Sequence, residues 1–231
     1  MRLSNSLHTL LTSLATGYIF FYFSELVFWA RPRPGDSLPG WLSTWLAYSL
    51  MAFLFLVVVQ TFRARSLPAL FLAGAFFGWL GEGVLVQTAY ESLPLSLSFT
   101  GLAWHALITV VLGWYGLQQA LRVSFRRASA YAAGLGLFLF IWGIAWIYEE
   151  PQSITPPESF ALFHLVAVLP LALSLFLVPR LFARPFAPSR WAVLAAAGLS
   201  LLYFLFVTIP AAPISTVILP LLMLLLALTL R

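Results

Sequence analysis

The chain has no cysteine, and charged residues make up only 8% of its 231 positions. It also has no lysine, so all twelve basic residues are arginine. Without cysteine there is no disulfide, thiolate nucleophile, iron–sulfur cluster or thiolate zinc site. Without lysine there is no amine for a Schiff base to retinal, pyridoxal or a carbonyl substrate. A soluble globule carries nearer a quarter charged residues. Scarcity of charge at this level excludes that class.

What fills the chain instead is apolar: 62% of residues are hydrophobic. The sequence reads as an all-α, polytopic transmembrane helical bundle, a single integral membrane domain over residues 1–231. The formal charge of +5 does not indicate nucleic acid. Its arginines sit in short loops between apolar runs, which is the signature of membrane topology. Membrane lipids and a lipophilic small molecule are the expected partners, with no nucleic acid.

Eight spans follow from apolar runs and their breaks, at about 6–30, 41–62, 66–90, 99–121, 129–148, 156–178, 190–208 and 213–230. The count falls to seven if the last pair forms a re-entrant hairpin. The first run is too long for a secretory leader and is read as a retained helix. Ser66 with Pro68, and Ser189, are expected helix caps. Thr155, Pro156 and Glu158 read as a T-x-x-E capping box with proline at the first helical position. Eight crossings put ten arginines (2, 63, 65, 122, 126, 127, 180, 184, 190 and 231) on one side against Arg31 and Arg33 on the other. The excess places both termini in the cytoplasm, in a bacterial or archaeal plasma membrane. Five acids, Asp36, Glu91, Glu149, Glu150 and Glu158, then fall at the outer surface.

Four ionisable residues stand inside spans: Glu25, Glu82, His105 and His164. From the helix ends each lies roughly 8–13 Å below the outer boundary. Such groups cost at least about 2.5 kcal/mol at membrane depth, so they face protein or water and mark function. Gly74, Gly78 and Glu82 recur every four residues, as do Gly101, His105, Thr109 and Gly113. Both stripes bring backbones close, within one chain or between chains of an oligomer. Tyr18, Tyr22 and Trp29 share the face of Glu25, whose plainest role is a strut to a tyrosine or a carbonyl. Pro170 loosens the helix beside His164. His8 is read as solvated or interfacial at the cytoplasmic end of the first span.

No H-E-x-x-H, G-x-S-x-G, phosphate-binding loop or dinucleotide fingerprint is present. The layer of ionisable groups supports three readings. In the first, a membrane-embedded enzyme acts on a lipid or isoprenoid-like substrate, with Glu82, His105, His164 and Glu25 catalytic. Its chemistry is acid–base, or metal-assisted with Glu82, His105 and His164 holding zinc. A proton-coupled transporter would use Glu25 and Glu82, with Pro170 and Pro220 as hinges. A haem-binding or accessory subunit would use His105 and His164 as axial ligands. The gathering of ionisable groups on one side, with few polar residues beyond them, favours the enzyme.

Overall fold

The computed structural model describes residues 4–148 and 155–231. Arg2, Glu149 and Glu150 lie outside the described residues. Eight helical segments follow one another: α1 (Asn5–Trp29), α2 (Leu38–Thr61), α3 (Leu67–Leu85), α4 (Leu95–Val123), α5 (Phe125–Ala145), α6 (Pro157–Leu181), α7 (Arg190–Ala211) and α8 (Ser215–Thr229). The first seven are long and apolar enough to cross a bilayer, and α8 is shorter. Every regular element among the described residues is helical. The chain is thus a helical membrane bundle.

Serine starts five of the eight helices. The hydroxyls of Ser4, Ser37, Ser66, Ser124 and Ser189 accept from the amides of Leu7, Gly40, Ala69, Arg127 and Ala192, at 3.1–3.3 Å. Each satisfies one of the amides that a helix start leaves without a partner. The expected caps at Ser66 and Ser189 are in place. Ser124 moves the start of α5 ahead of the expected residue 129. The expected box at Thr155 does not form. Pro156 is the cap residue and Pro157 opens α6, with no side chain capping it. The start lies one residue later than the T-x-x-E spacing needs. Gln87, with a left-handed φ of 61°, ends α3 at Leu85, short of residue 90.

The first helix is the axis of the bundle. Gly17 lets α1 meet α2 so closely that an added methyl would lie 2.4 Å from Ser49 Oγ. Gly113 of α4 gives the same intimacy to Phe23. Toward α6, the Tyr18 hydroxyl donates to the Ala167 carbonyl at 2.9 Å, and His8 Nε2 donates to the Leu181 carbonyl at 2.9 Å. His8 is therefore buried against α6 and is not a solvated end residue. Between these contacts Phe20, Phe55, Phe77 and Trp114 form an aromatic block, with Phe20 4.4 Å from Phe77 and Phe55 5.4 Å from Trp114. Helix α5 stands outside, tied on by Tyr131 to the Leu112 carbonyl and by Trp142 and Trp146 to the Phe28 carbonyl.

Candidate functional site

The carboxylates and the imidazole sit where three helices widen. Glu25 lies in Tyr22–Leu26, Glu82 in Gly81–Leu85 and His105 in Phe99–Gly116, and all three stretches carry i→i+5 hydrogen bonding. Such π-turns are rare and concentrate at functional sites. Helices α3 and α4 are held together by their glycines. A methyl on Gly78 would lie 2.5 Å from the Gly101 carbonyl oxygen and 2.9 Å from His105 Cβ. One turn further along α3, Glu82 thereby arrives opposite the imidazole.

The pair is direct: His105 Nε2 and Glu82 Oε1 are 2.7 Å apart. On the other side of the ring, Ser24 Oγ lies 2.9 Å from His105 Nδ1 and 2.9 Å from Thr109 Oγ1. The second carboxylate oxygen of Glu82 accepts from the Thr88 hydroxyl. An ionised carboxylate only accepts, so with a neutral ring the Nε2–H points at Glu82 and Nδ1 accepts from Ser24. With a protonated ring Ser24 accepts from Nδ1–H and turns its own hydrogen toward Thr109. The hydroxyl pair suits either state. Phe77 closes the ring's flank edge-on at 5.3 Å.

Glu25 faces the same cavity but does not join the pair. Its Oε1 accepts from Tyr48 at 2.8 Å, and its Oε2 lies 3.8 Å from the Arg33 guanidinium. Arg33 is in turn bound to Asp36 at 3.2 Å and stacked 5.0 Å from the Trp29 ring. The cavity, of about 610 Å³, is lined by Glu25, Glu82 and His105 at its base, with Arg33, Glu91 and Thr100 among its other polar residues. Val86, Leu95 and Phe99, all exposed, give it an apolar lip. Beyond the end of α3, Tyr90 donates to the Gly83 carbonyl at 2.9 Å. Burial pushes the Tyr90 phenol up to about 12, so it stays a donor at neutral pH.

His164 is elsewhere. It does not line the cavity, its rings for neighbours are Phe160 and Phe163 of its own helix, and its buried Nε2 has no hydrogen-bond partner among the described residues. Equal depth did not bring it to His105, because α6 and α4 pack on different faces of α1. The zinc set of Glu82, His105 and His164 is therefore not assembled, and no group of three His, Cys, Asp or Glu suited to a metal occurs among the described residues. The paired axial histidines of the haem reading are not opposed either, and both nitrogens of His105 are already bonded within the protein.

No family model, curated protein or solved structure matches this chain. The periodicity of the sequence singled out Glu82, His105, Thr109 and Glu25, and missed Ser24, Tyr48 and Thr88. The one usable signal for Ser24 was a small polar residue beside Glu25 in an otherwise apolar run. Tyr48 and Thr88 are ordinary residues for their positions, and only the three-dimensional packing selects them.

Proposed function

We propose that the protein is a membrane-embedded enzyme in which Glu82 and His105 form an acid–base pair acting on a lipophilic substrate, a lipid or isoprenoid-like molecule. The observation that carries this reading is the 2.7 Å carboxylate–imidazole contact at the base of a cavity with an apolar lip. Its side chains are mostly withdrawn from solvent, 5% exposed for His105 and 15% for Glu82. In such surroundings a charged carboxylate is held by fixed donors, here His105 and Thr88, instead of by water.

In this reading the Glu82 carboxylate, the more open partner, takes a proton from the substrate, while His105 donates its Nε2–H to the other side of that carboxylate and holds it in place. Ser24, held by Thr109, occupies Nδ1 and so keeps the ring hydrogen on the nitrogen that faces Glu82. Glu25 and Arg33 at the cavity wall position the polar end of the substrate, while Val86, Leu95 and Phe99 admit its chain from the bilayer. The excess of arginines in the loops at the other end supports a site in the outer half of the membrane, away from the cytoplasm. A carrier using Glu25 and Glu82 fits less well. Both carboxylates belong to one cavity at one end, and the block of Phe20, Phe55, Phe77 and Trp114 fills the bundle below it.

The test is product formation in vesicles made from a total membrane lipid extract, followed by mass spectrometry. Wild-type protein is expected to convert one lipid component. Glu82→Gln, which keeps the shape and loses the base, is expected to lower the rate by about 10²–10⁴-fold. Equal conversion by both proteins, or by neither, would end the reading.

A further inference from the structure

The cavity at Glu82 and His105 has a chemical character beyond its acid–base pair: it is rich in hydrogen-bond acceptors and short of donors. Glu25, Glu82 and Glu91 line it, and Arg33 is the one cationic side chain that does so among the described residues. That guanidinium is already bound to Asp36 at 3.2 Å and lies 3.8 Å from Glu25. Every oxygen of Glu25 and Glu82 faces a donor, from Tyr48, Arg33, His105 or Thr88, which is the setting of ionised carboxylates. The lining thus carries more negative charge than Arg33 balances.

The hydroxyls of the lining lead to the same conclusion independently of the acids. Thr44 donates to the Gly40 carbonyl at 2.9 Å, Ser96 to the Ala89 carbonyl at 2.7 Å and Thr100 to the Ser96 carbonyl at 2.7 Å. A hydroxyl has one hydrogen, so each of these oxygens is left only to accept. Thr88 gives its hydrogen to Glu82, and the Trp104 ring nitrogen gives its own to the Phe23 carbonyl. Phe28, Trp29 and Phe99 add aromatic rings to the wall. One organic cation already rests there, since the Arg33 guanidinium is stacked 5.0 Å from the Trp29 ring. A ligand matched to acceptors, negative charge and rings is a positively charged donor. A primary ammonium has three N–H donors and no acceptor.

We propose that the polar end of the substrate is a primary ammonium, and that the ligand is an ammonium-bearing lipid, either an aminophospholipid or a long-chain amine. The proposal rests on the reading of this cavity as a substrate site and narrows it, because a headgroup of net negative charge, a diphosphate included, is repelled by the same lining. The ammonium donates to Glu82 and to the lining hydroxyl oxygens, and the chain leaves over Val86, Leu95 and Phe99. Arg33 is the lining cation available to the phosphate of an aminophospholipid. When Glu82 acts as base, the proton it takes is one of the three on nitrogen. The amine keeps the electron pair and the carboxylate becomes a carboxylic acid, so both charges disappear together.

The test measures binding instead of turnover. Full-length protein in detergent receives palmitoyl-oleoyl phosphatidylethanolamine, phosphatidylcholine or phosphatidylglycerol in one set, and hexadecylamine or hexadecanol in another, and adducts are read by native mass spectrometry. A one-to-one adduct at least tenfold more abundant with phosphatidylethanolamine than with the other two phospholipids assigns the site to an aminophospholipid. The same preference shown only by hexadecylamine over hexadecanol assigns it to a simple amine. In either case Glu82→Gln, which sets an N–H donor against the ammonium, is expected to reduce the adduct at least tenfold with the helical circular dichroism unchanged. If Glu82→Gln does not fold, Glu91→Gln, on the exposed turn after α3, is expected to reduce it several-fold. No preference for the ammonium member of either set would overturn the proposal, as would an undiminished adduct in the folded variant. An ammonium lipid that binds in this way and is never converted would instead end the enzyme reading and leave the binding site standing.

Discussion

The two halves of the chain are both apolar helices, yet they do different work. In α1, 78% of the most apolar window is buried within the protein, against 0% in α5 and 11% in α7. Glu25, Glu82 and His105 all belong to α1–α4, and the one ionisable residue deep within a later span, His164, lies apart from them. Hydrophobicity does not separate the halves, since lipid is as apolar as any leucine. What separates them is how closely backbones approach. Gly17, Gly74, Gly78, Gly101 and Gly113 each leave less than 3 Å between a would-be methyl and a neighbour, whereas Gly134, Gly136 and Gly198 meet nothing within 4 Å. The first half is a scaffold fastened through glycine, and the second is largely a surround facing lipid.

The strongest way to break that contrast is to push α3 off α4. Gly78→Leu places a side chain 2.5 Å from the Gly101 carbonyl oxygen, a main-chain atom that cannot swing aside. Overpacking of this kind costs about 3 kcal/mol, enough to lower the thermal unfolding midpoint in detergent by many degrees. Because Glu82 and His105 meet only through this approach, activity is expected to vanish even in whatever fraction folds. A variant with wild-type stability would show that the halves are not fastened as described.

A smaller effect is expected inside the site. Ser24→Ala leaves His105 Nδ1, a buried nitrogen, with no partner, at a cost of about 1–3 kcal/mol. Turnover is expected to fall roughly tenfold, since about 1.4 kcal/mol corresponds to a factor of ten. Nitrogen chemical shifts of the labelled imidazole provide the check that a purely structural role would not move. Wild type should hold the single Nε2–H tautomer in its neutral form, and Ser24→Ala a mixture. Ser24→Thr, which restores the hydroxyl, should restore both turnover and tautomer.

Much of this contrast was legible in the sequence, and the reason is local. Serine caps and arginine-bearing loops mark helix ends whatever the helices pack against, so the eight expected spans lie near the limits of the observed helices, of which seven are long enough to cross and the last is shorter. The Gly74–Gly78–Glu82 and Gly101–His105–Thr109 stripes were readable because residues four apart share a helix face. Two things were not readable. The π-turns at Glu25, Glu82 and His105 rotate side chains off a 3.6-residue period, so Ser24, next to Glu25, could not be assigned to His105. Rotation of one helix about another was equally hidden. His164 matches His105 in depth, but depth along a helix says nothing about which side of α1 the helix packs on.

The mildest prediction comes from the surround. Glycine in a helix interior is less favourable than alanine by about 0.5–1 kcal/mol, because it gives up more backbone freedom. In α1–α4 that cost is offset by close packing that no methyl could share. At Gly134 of α5 and Gly198 of α7 no such return exists, since the added methyl meets open space. Gly134→Ala and Gly198→Ala are therefore expected to raise the unfolding midpoint slightly and to leave turnover unchanged. Measured beside Gly74→Ala, whose methyl would stand 2.8 Å from Ala106 Cα, they should move in the opposite direction. If Gly134→Ala instead destabilised the protein as Gly74→Ala does, α5 would have a close partner on that face, and the second half would be scaffold too.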